Sequence, residues 1–158
     1  MTYEELTTAL AEKLGIRGLV RENGVCSLDI DGMTVSLVHA PNADALVLHG
    51  ILGDSPASAE GRFGAMLLRA NHLFRGTDGA TLSQDPASKT YALQRQFPLA
   101  VLDADSLAAE LGRFVDSLER WRNAIAQFRP VEEEAAKLAA DDVPPPPYSF
   151  GPGGFISV

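Results

Sequence analysis

The chain has 158 residues, with 13 Lys and Arg against 21 Asp and Glu, a formal charge of −8. Nucleic acid is excluded as a first partner, because duplex binding needs clustered cations and the basic residues here are outnumbered and scattered from Lys13 to Lys137. An anionic membrane surface is disfavoured for the same reason, and a chain 46% hydrophobic and 22% charged reads as one globular domain of about 150 residues.

Cys26 is the only cysteine, so no disulfide and no thiolate metal site can be built within one chain. The opening Met1-Thr2-Tyr3-Glu4-Glu5 lacks the basic and apolar regions of a secretory signal. The weakly charged stretch from Gly32 to Gly53 is broken by Pro41, Asp44 and two histidines, which argues against a membrane span. A cytoplasmic protein is expected.

Thr2 with Glu5 is a capping-box pattern, and Leu6, Leu10 and Leu14 form one helical stripe stopping at Gly15. Two-residue periodicity follows: Cys26, Leu28 and Ile30, an Asp31-Gly32 turn, then Met33, Val35 and Leu37, predicting a hairpin. Ala45 to Leu52 is apolar on both faces apart from His49, as a central strand would be. Gly53 to Gly61 reads as a connector, and Phe63, Leu67, Ala70 and Phe74 as a second helix ending at Gly76. Asp85-Pro86-Ala87-Ser88 is a turn inside a second hairpin from Thr81 to Phe97. Asp105 is the expected cap of a third helix carrying Leu107, Leu111, Phe114, Leu118, Trp121, Ile125 and Phe128.

Pro130 ends that helix. The segment from 130 to 158 is an acidic, proline- and glycine-rich tail, with Pro144 to Pro147 and Gly151, Gly153 and Gly154, of a composition expected to be disordered. The domain is therefore placed at 1–129. Its order, α-β-β-β-α-β-β-α with hairpin connections, predicts an α+β, two-layer fold: a five-stranded antiparallel sheet and three helices.

Catalytic chemistry is thinly supplied. His39, His49 and His72 have no metal-ligand spacing, Cys26 sits on an apolar strand face, and neither a nucleophile elbow nor a phosphate loop is present. No cofactor or metal is expected. Asp29 and Asp31 flank Ile30 on what reads as a solvated face. Pro145-Pro146-Pro147-Tyr148 matches a WW-domain ligand and Ile156-Ser157-Val158 a PDZ-type C-terminus, patterns short enough to arise by chance. Apolar surface is in surplus: Val25, Val38, Val47 and Ile51 point away from the face the helices cover. That surplus suggests self-association or an extended peptide on a strand edge.

Over about residues 1 to 128 the chain resembles the class I chaperones of bacterial type III secretion, the Tir chaperone family. The resemblance is carried by Tyr3-Glu4-Glu5-Leu6, by Cys26-Ser27-Leu28-Asp29-Ile30-Asp31-Gly32, and by Leu67-Leu68-Arg69-Ala70-Asn71-His72-Leu73-Phe74. It continues in Ala80-Thr81-Leu82-Ser83-Gln84-Asp85, Tyr91-Ala92-Leu93 and Phe97-Pro98-Leu99, with Phe114, Trp121 and Arg122 on the last helix. The resemblance implies a homodimer whose second helix and fourth strand form the interface, here Phe63, Leu67, Ala70 and Leu82. It implies an effector's N-terminal segment bound in extended form near Leu6, Leu10, Val25, Leu28, Val35 and Leu37, and the secretion ATPase as a further partner. The acidic tail is longer than such chaperones carry. Two alternatives stay open: a non-secretion regulatory domain of the same fold, and a small hydrolytic enzyme using Asp29, Asp31 or His49.

Overall fold

A computed structural model describes residues 1–54 and 60–128. The expected tail from 130 onward, with its two short motifs, lies outside the described residues, as does most of the connector after Gly53.

Helix α1 (Tyr3–Leu14) starts at the capping box: Glu5 N–H donates to Thr2 Oγ1 at 3.2 Å, and Thr2 N–H donates to the Glu5 carboxylate at 2.8 Å. Gly15, left-handed at φ +68, ends it. The sheet has six strands rather than the expected five: β1 (Arg21–Glu22), β2 (Val25–Ile30), β3 (Met33–Ala40), β4 (Ala45–Gly53), β5 (Thr81–Gln84) and β6 (Tyr91–Pro98). The additional strand is β1, two polar residues with no apolar alternation to announce them, held to β2 through the Asn23-Gly24 turn. Both residues of that turn, and both of Asp31-Gly32, have positive φ, the geometry that suits two-residue hairpins.

All pairings are antiparallel and the strands lie in the order β1-β2-β3-β4-β6-β5. Alternation sends Cys26, Leu28, Val35, Leu37, Leu46, Leu48 and Leu93 to one face, where they form the core with α1 and helix α3 (Ala104–Gln127). Gly50 lets α3 approach: a Cβ there would stand 2.6 Å from Leu118 Cδ2. Tyr3 ties α1 to the sheet by donating its hydroxyl to the Leu37 carbonyl at 2.7 Å, and burial pushes its phenol up to about 12. Arg95 of β6 pairs with Glu110 of α3 at 3.1 Å.

Two helix limits differ from expectation. The cap of α3 is Asp103, not Asp105: Asp103 accepts from the Ser106 N–H at 2.8 Å and its own N–H donates to Ser106 Oγ at 3.0 Å. Ser106 Oγ also donates to the Asp103 carboxylate at 2.7 Å, and that bond first, with the one from the Ser106 N–H, holds the Asp103 carboxyl below its ordinary range. Helix α2 (Glu60–Asn71) stops five residues short of Gly76, because Leu73 (φ +53) and Phe74 (φ +56) turn the chain left-handed. The chain then returns past Gly76, whose carbonyl accepts from Trp121 Nε1 at 3.0 Å, to enter β5. Phe63 anchors α2 between Tyr91 and Phe128, ring centroids 4.8 and 5.3 Å away.

Candidate protein-binding surface

With α1 and α3 on one face, the opposite face of the sheet carries side chains that no described helix covers. Strand register sets them in rows: Val25, Val38 and Val47 lie side by side across β2, β3 and β4, and next to them Ser27, Ser36, His49 and Gln94. The three valines are half-buried, and exposed Val20 lines a shallow groove with Val25 and Ser27 at the β1 end. This is the face on which the sequence placed Val25, Val38, Val47 and Ile51.

The edge of the sheet beside that row is open. β1 pairs with β2 only through Arg21 with Cys26 and Glu22 with Val25, so Ser27 to Ile30 have β3 on one side and no described strand on the other. The two-residue turn makes Ile30 and Met33 the hydrogen-bonded pair, which sends the backbone N–H and C=O of Ser27 and Asp29 outward. β1 itself is fastened to α1 rather than extended: Arg21 Nε donates to Thr7 Oγ1 at 2.8 Å and its Nη2 to Thr8 Oγ1 at 2.6 Å.

A second apolar surface lies around the end of α2. Leu68, Leu73 and Phe74 are 73, 65 and 54% exposed, and Ile51 on the uncovered sheet face is 56% exposed. Two consecutive bulky residues in left-handed backbone cost free energy that a turn built on glycine would not. Large apolar groups held outward at such a cost mark a contact surface.

Of the residues implied by the resemblance, Leu6, Leu10, Leu28, Val35 and Leu37 are buried in the core of the protomer and closed to a ligand in this structure; Val25 alone lies on the uncovered face. Phe63, Leu67 and Leu82 are likewise buried within the protomer, while Ala70 is half-buried beside the exposed α2 surface. Sequence patterning does not single out Leu68 or Leu73, and it puts Phe74 on the inner stripe of the second helix. Leu68 is off that stripe, and the helix ends at Asn71, before Leu73 and Phe74.

The candidate catalytic groups do not converge. Asp29 and Asp31 are exposed, with Asp29 accepting from Thr34 Oγ1 at 2.7 Å, and His49 stands in the polar row. Cys26 is buried, and burial pushes its thiol up. Among the described residues no three His, Cys, Asp or Glu side chains are grouped to hold a metal ion, and no helix is long and apolar enough to cross a membrane.

Residues 5–122 match the model of the Tir chaperone protein (CesT) family. The chain belongs to that family. The Tir chaperone of Citrobacter freundii is 29% identical over 117 residues, covering 73% of this chain and 74% of that protein, and the Tir chaperone of Escherichia coli O157:H7 is 28% identical over the same length. The fold is that of solved chaperone complexes. The HopA1–SchA chaperone–effector complex superposes with a TM-score of 0.64 at 23% identity, covering 77% of this chain and 93% of that one. The Yersinia pestis type III secretion chaperone SycH, bound to a fragment of YscM2, gives 0.61 at 20% identity, covering 76% and 99%. Membership in a chaperone family implies a non-enzymatic role.

Proposed function

We propose that this Tir-family chain is a homodimeric chaperone of the bacterial cytoplasm that holds the N-terminal segment of a type III secreted effector extended and soluble until export. The observation that carries this is the open edge of β2 beside the valine row: outward backbone groups at Ser27 and Asp29, with Val25, Val38 and Val47 flanking them. An incoming strand gains main-chain partners at the edge and places alternate side chains over the valines. Four residues of edge supply few hydrogen bonds, and ordering the guest costs free energy, so affinity requires the segment to continue over the rest of the uncovered face. The buried Leu6, Leu10, Leu28, Val35 and Leu37 support that face from beneath. Release to the secretion machinery, including its ATPase, needs no chemistry from this chain.

The second copy docks, in this proposal, on the α2 surface of Leu68, Leu73 and Phe74, with Ala70 at its margin and Phe63, Leu67 and Leu82 fixing it from inside. The test is co-expression with the protein encoded next to this one, then limited proteolysis for a protected N-terminal fragment. Ser27→Pro removes an outward N–H and leaves the backbone bonds to β3 in place, a substitution strand edges tolerate; Ser27→Ala is the control, since both variants lose the exposed contact of Ser27 Oγ with Ser36 Oγ at 3.1 Å. Loss of fragment protection with an unchanged melting temperature is expected. Capture and protection equal to wild type would remove the strand-edge mechanism, and failure of any neighbour to bind would favour a regulatory domain outside secretion.

A further inference from the structure

The sheet has two edges, and they are treated differently. At one, Ser27 and Asp29 of β2 turn their backbone groups to solvent. At the other, β5 is the outermost strand, and its outward backbone groups at Leu82 are both taken by one side chain. Leu82 N–H donates to Asn71 Oδ1 at 2.8 Å, and Asn71 Nδ2 donates to the Leu82 carbonyl at 2.9 Å. A carboxamide carries a donor and an acceptor on one planar group, so it reproduces what a residue of a neighbouring strand would offer. At the start of the strand, Ala80 N–H donates to the Thr77 carbonyl at 3.0 Å; at its end, Gln84 Nε2 donates to the Lys89 carbonyl at 3.0 Å, a side-chain bond inside the hairpin, so Leu82 is the position where the edge backbone itself is capped.

Asn71 is the last residue of α2, and the helix ends where the side chain reaches β5. The left-handed pair Leu73 and Phe74 follows at once, turning the chain so that β5 can run past its own capping residue.

We propose that Asn71 is an edge lock: its side-chain amide occupies the strand-pairing site of β5 and so restricts strand addition to the β2 edge. Unprotected edges pair with whatever extended chain they meet, a second copy included, and proteins suppress this locally. The functional meaning rests on the strand-capture mechanism proposed above, but the lock is tested without cargo.

The experiment compares the full-length wild type with Asn71→Ala and Asn71→Asp by amide hydrogen exchange and by light scattering over a concentration series. For Asn71→Ala in dilute solution, the Leu82 amide should exchange about tenfold faster, the loss of one hydrogen bond, while Leu37 and Leu48 in the central strands stay as in wild type. On concentration it should form species larger than the wild-type assembly. Wild-type exchange at Leu82, or faster exchange without larger species, overturns the proposal. If Leu37 and Leu48 also lose protection, the variant has unfolded and Asn71→Asp decides. It keeps the side-chain volume and the acceptor but faces the Leu82 carbonyl with a carboxylate; larger species are expected, and an unchanged assembly overturns the lock. No outcome depends on an effector, so a failed pull-down leaves Asn71 standing and a failed lock leaves strand capture at β2 standing.

Discussion

The two faces of the sheet are built from the same strands and obey opposite rules. On β3, Val35 and Leu37 are fully buried under α1 and α3, whereas Ser36 and Val38, one residue away, stand on the face no described helix covers. The inner residues determine whether the chain folds; the outer ones are left to determine what it meets. Truncation on one face should therefore be read in stability, and substitution on the other in association.

The largest effect is expected inside. Phe114→Ala on α3 removes a fully buried ring and should cost about 3–5 kcal/mol in urea denaturation; a loss under about 1 kcal/mol would mean that α3 is not the lid of the core. Next comes Leu68→Asp, which should leave a single protomer in light scattering, with unfolding free energy of the dissociated protein within about 0.5 kcal/mol of wild type. The same change at buried Leu67 should unfold the protomer, and equal effects at 67 and 68 would erase the distinction between core and contact surface. Val38→Asp tests the uncovered face: cargo-fragment protection lost, stability changed by less than about 1 kcal/mol. A cost typical of buried charge would show that the face is closed.

The smallest concerns Tyr3. Tyr3→Phe should cost about 1 kcal/mol through the lost bond to the Leu37 carbonyl. Its phenol is raised from 10.0 to about 12 by burial, so the folded state holds the proton more tightly than the unfolded one. The contribution is complete below pH 10 and fades as pH rises from there toward 12. Urea midpoints of the two proteins at pH 9 and near pH 11 measure it, and a gap that widens with pH would contradict the assignment.

Most of the fold was legible because it is written in local periodicity. The Leu6 and Leu10 stripe, the Asp31-Gly32 turn and the run from Leu107 to Ile125 each carry a repeat or a turn residue that constrains the backbone. β1 was not legible, since Arg21 and Glu22 are set by a turn and by Arg21 reaching Thr7 and Thr8, contacts between segments that no window contains. Asp103 and Asp105 offer the same capping chemistry two residues apart, so sequence alone does not choose between them; the structure does, through Ser106. The candidate surface was half legible. Alternation placed Val25, Val38 and Val47 outside the core, but Leu68 lies off the stripe that defines α2, and the helix stops where Leu73 and Phe74 turn left-handed, which no local pattern announces.

Gly50 and Leu118 are 68 positions apart in the chain yet share one volume, the missing side chain of the first being filled by the isobutyl group of the second. Neither can change size alone without crowding or emptying the same space. Enlarging position 50 to alanine while trimming position 118 to valine should restore what the first change loses, so that the paired variant is sturdier than Gly50→Ala by itself. Bulk can be traded between β4 and α3 in this way without altering the side chains on the outward face of β4.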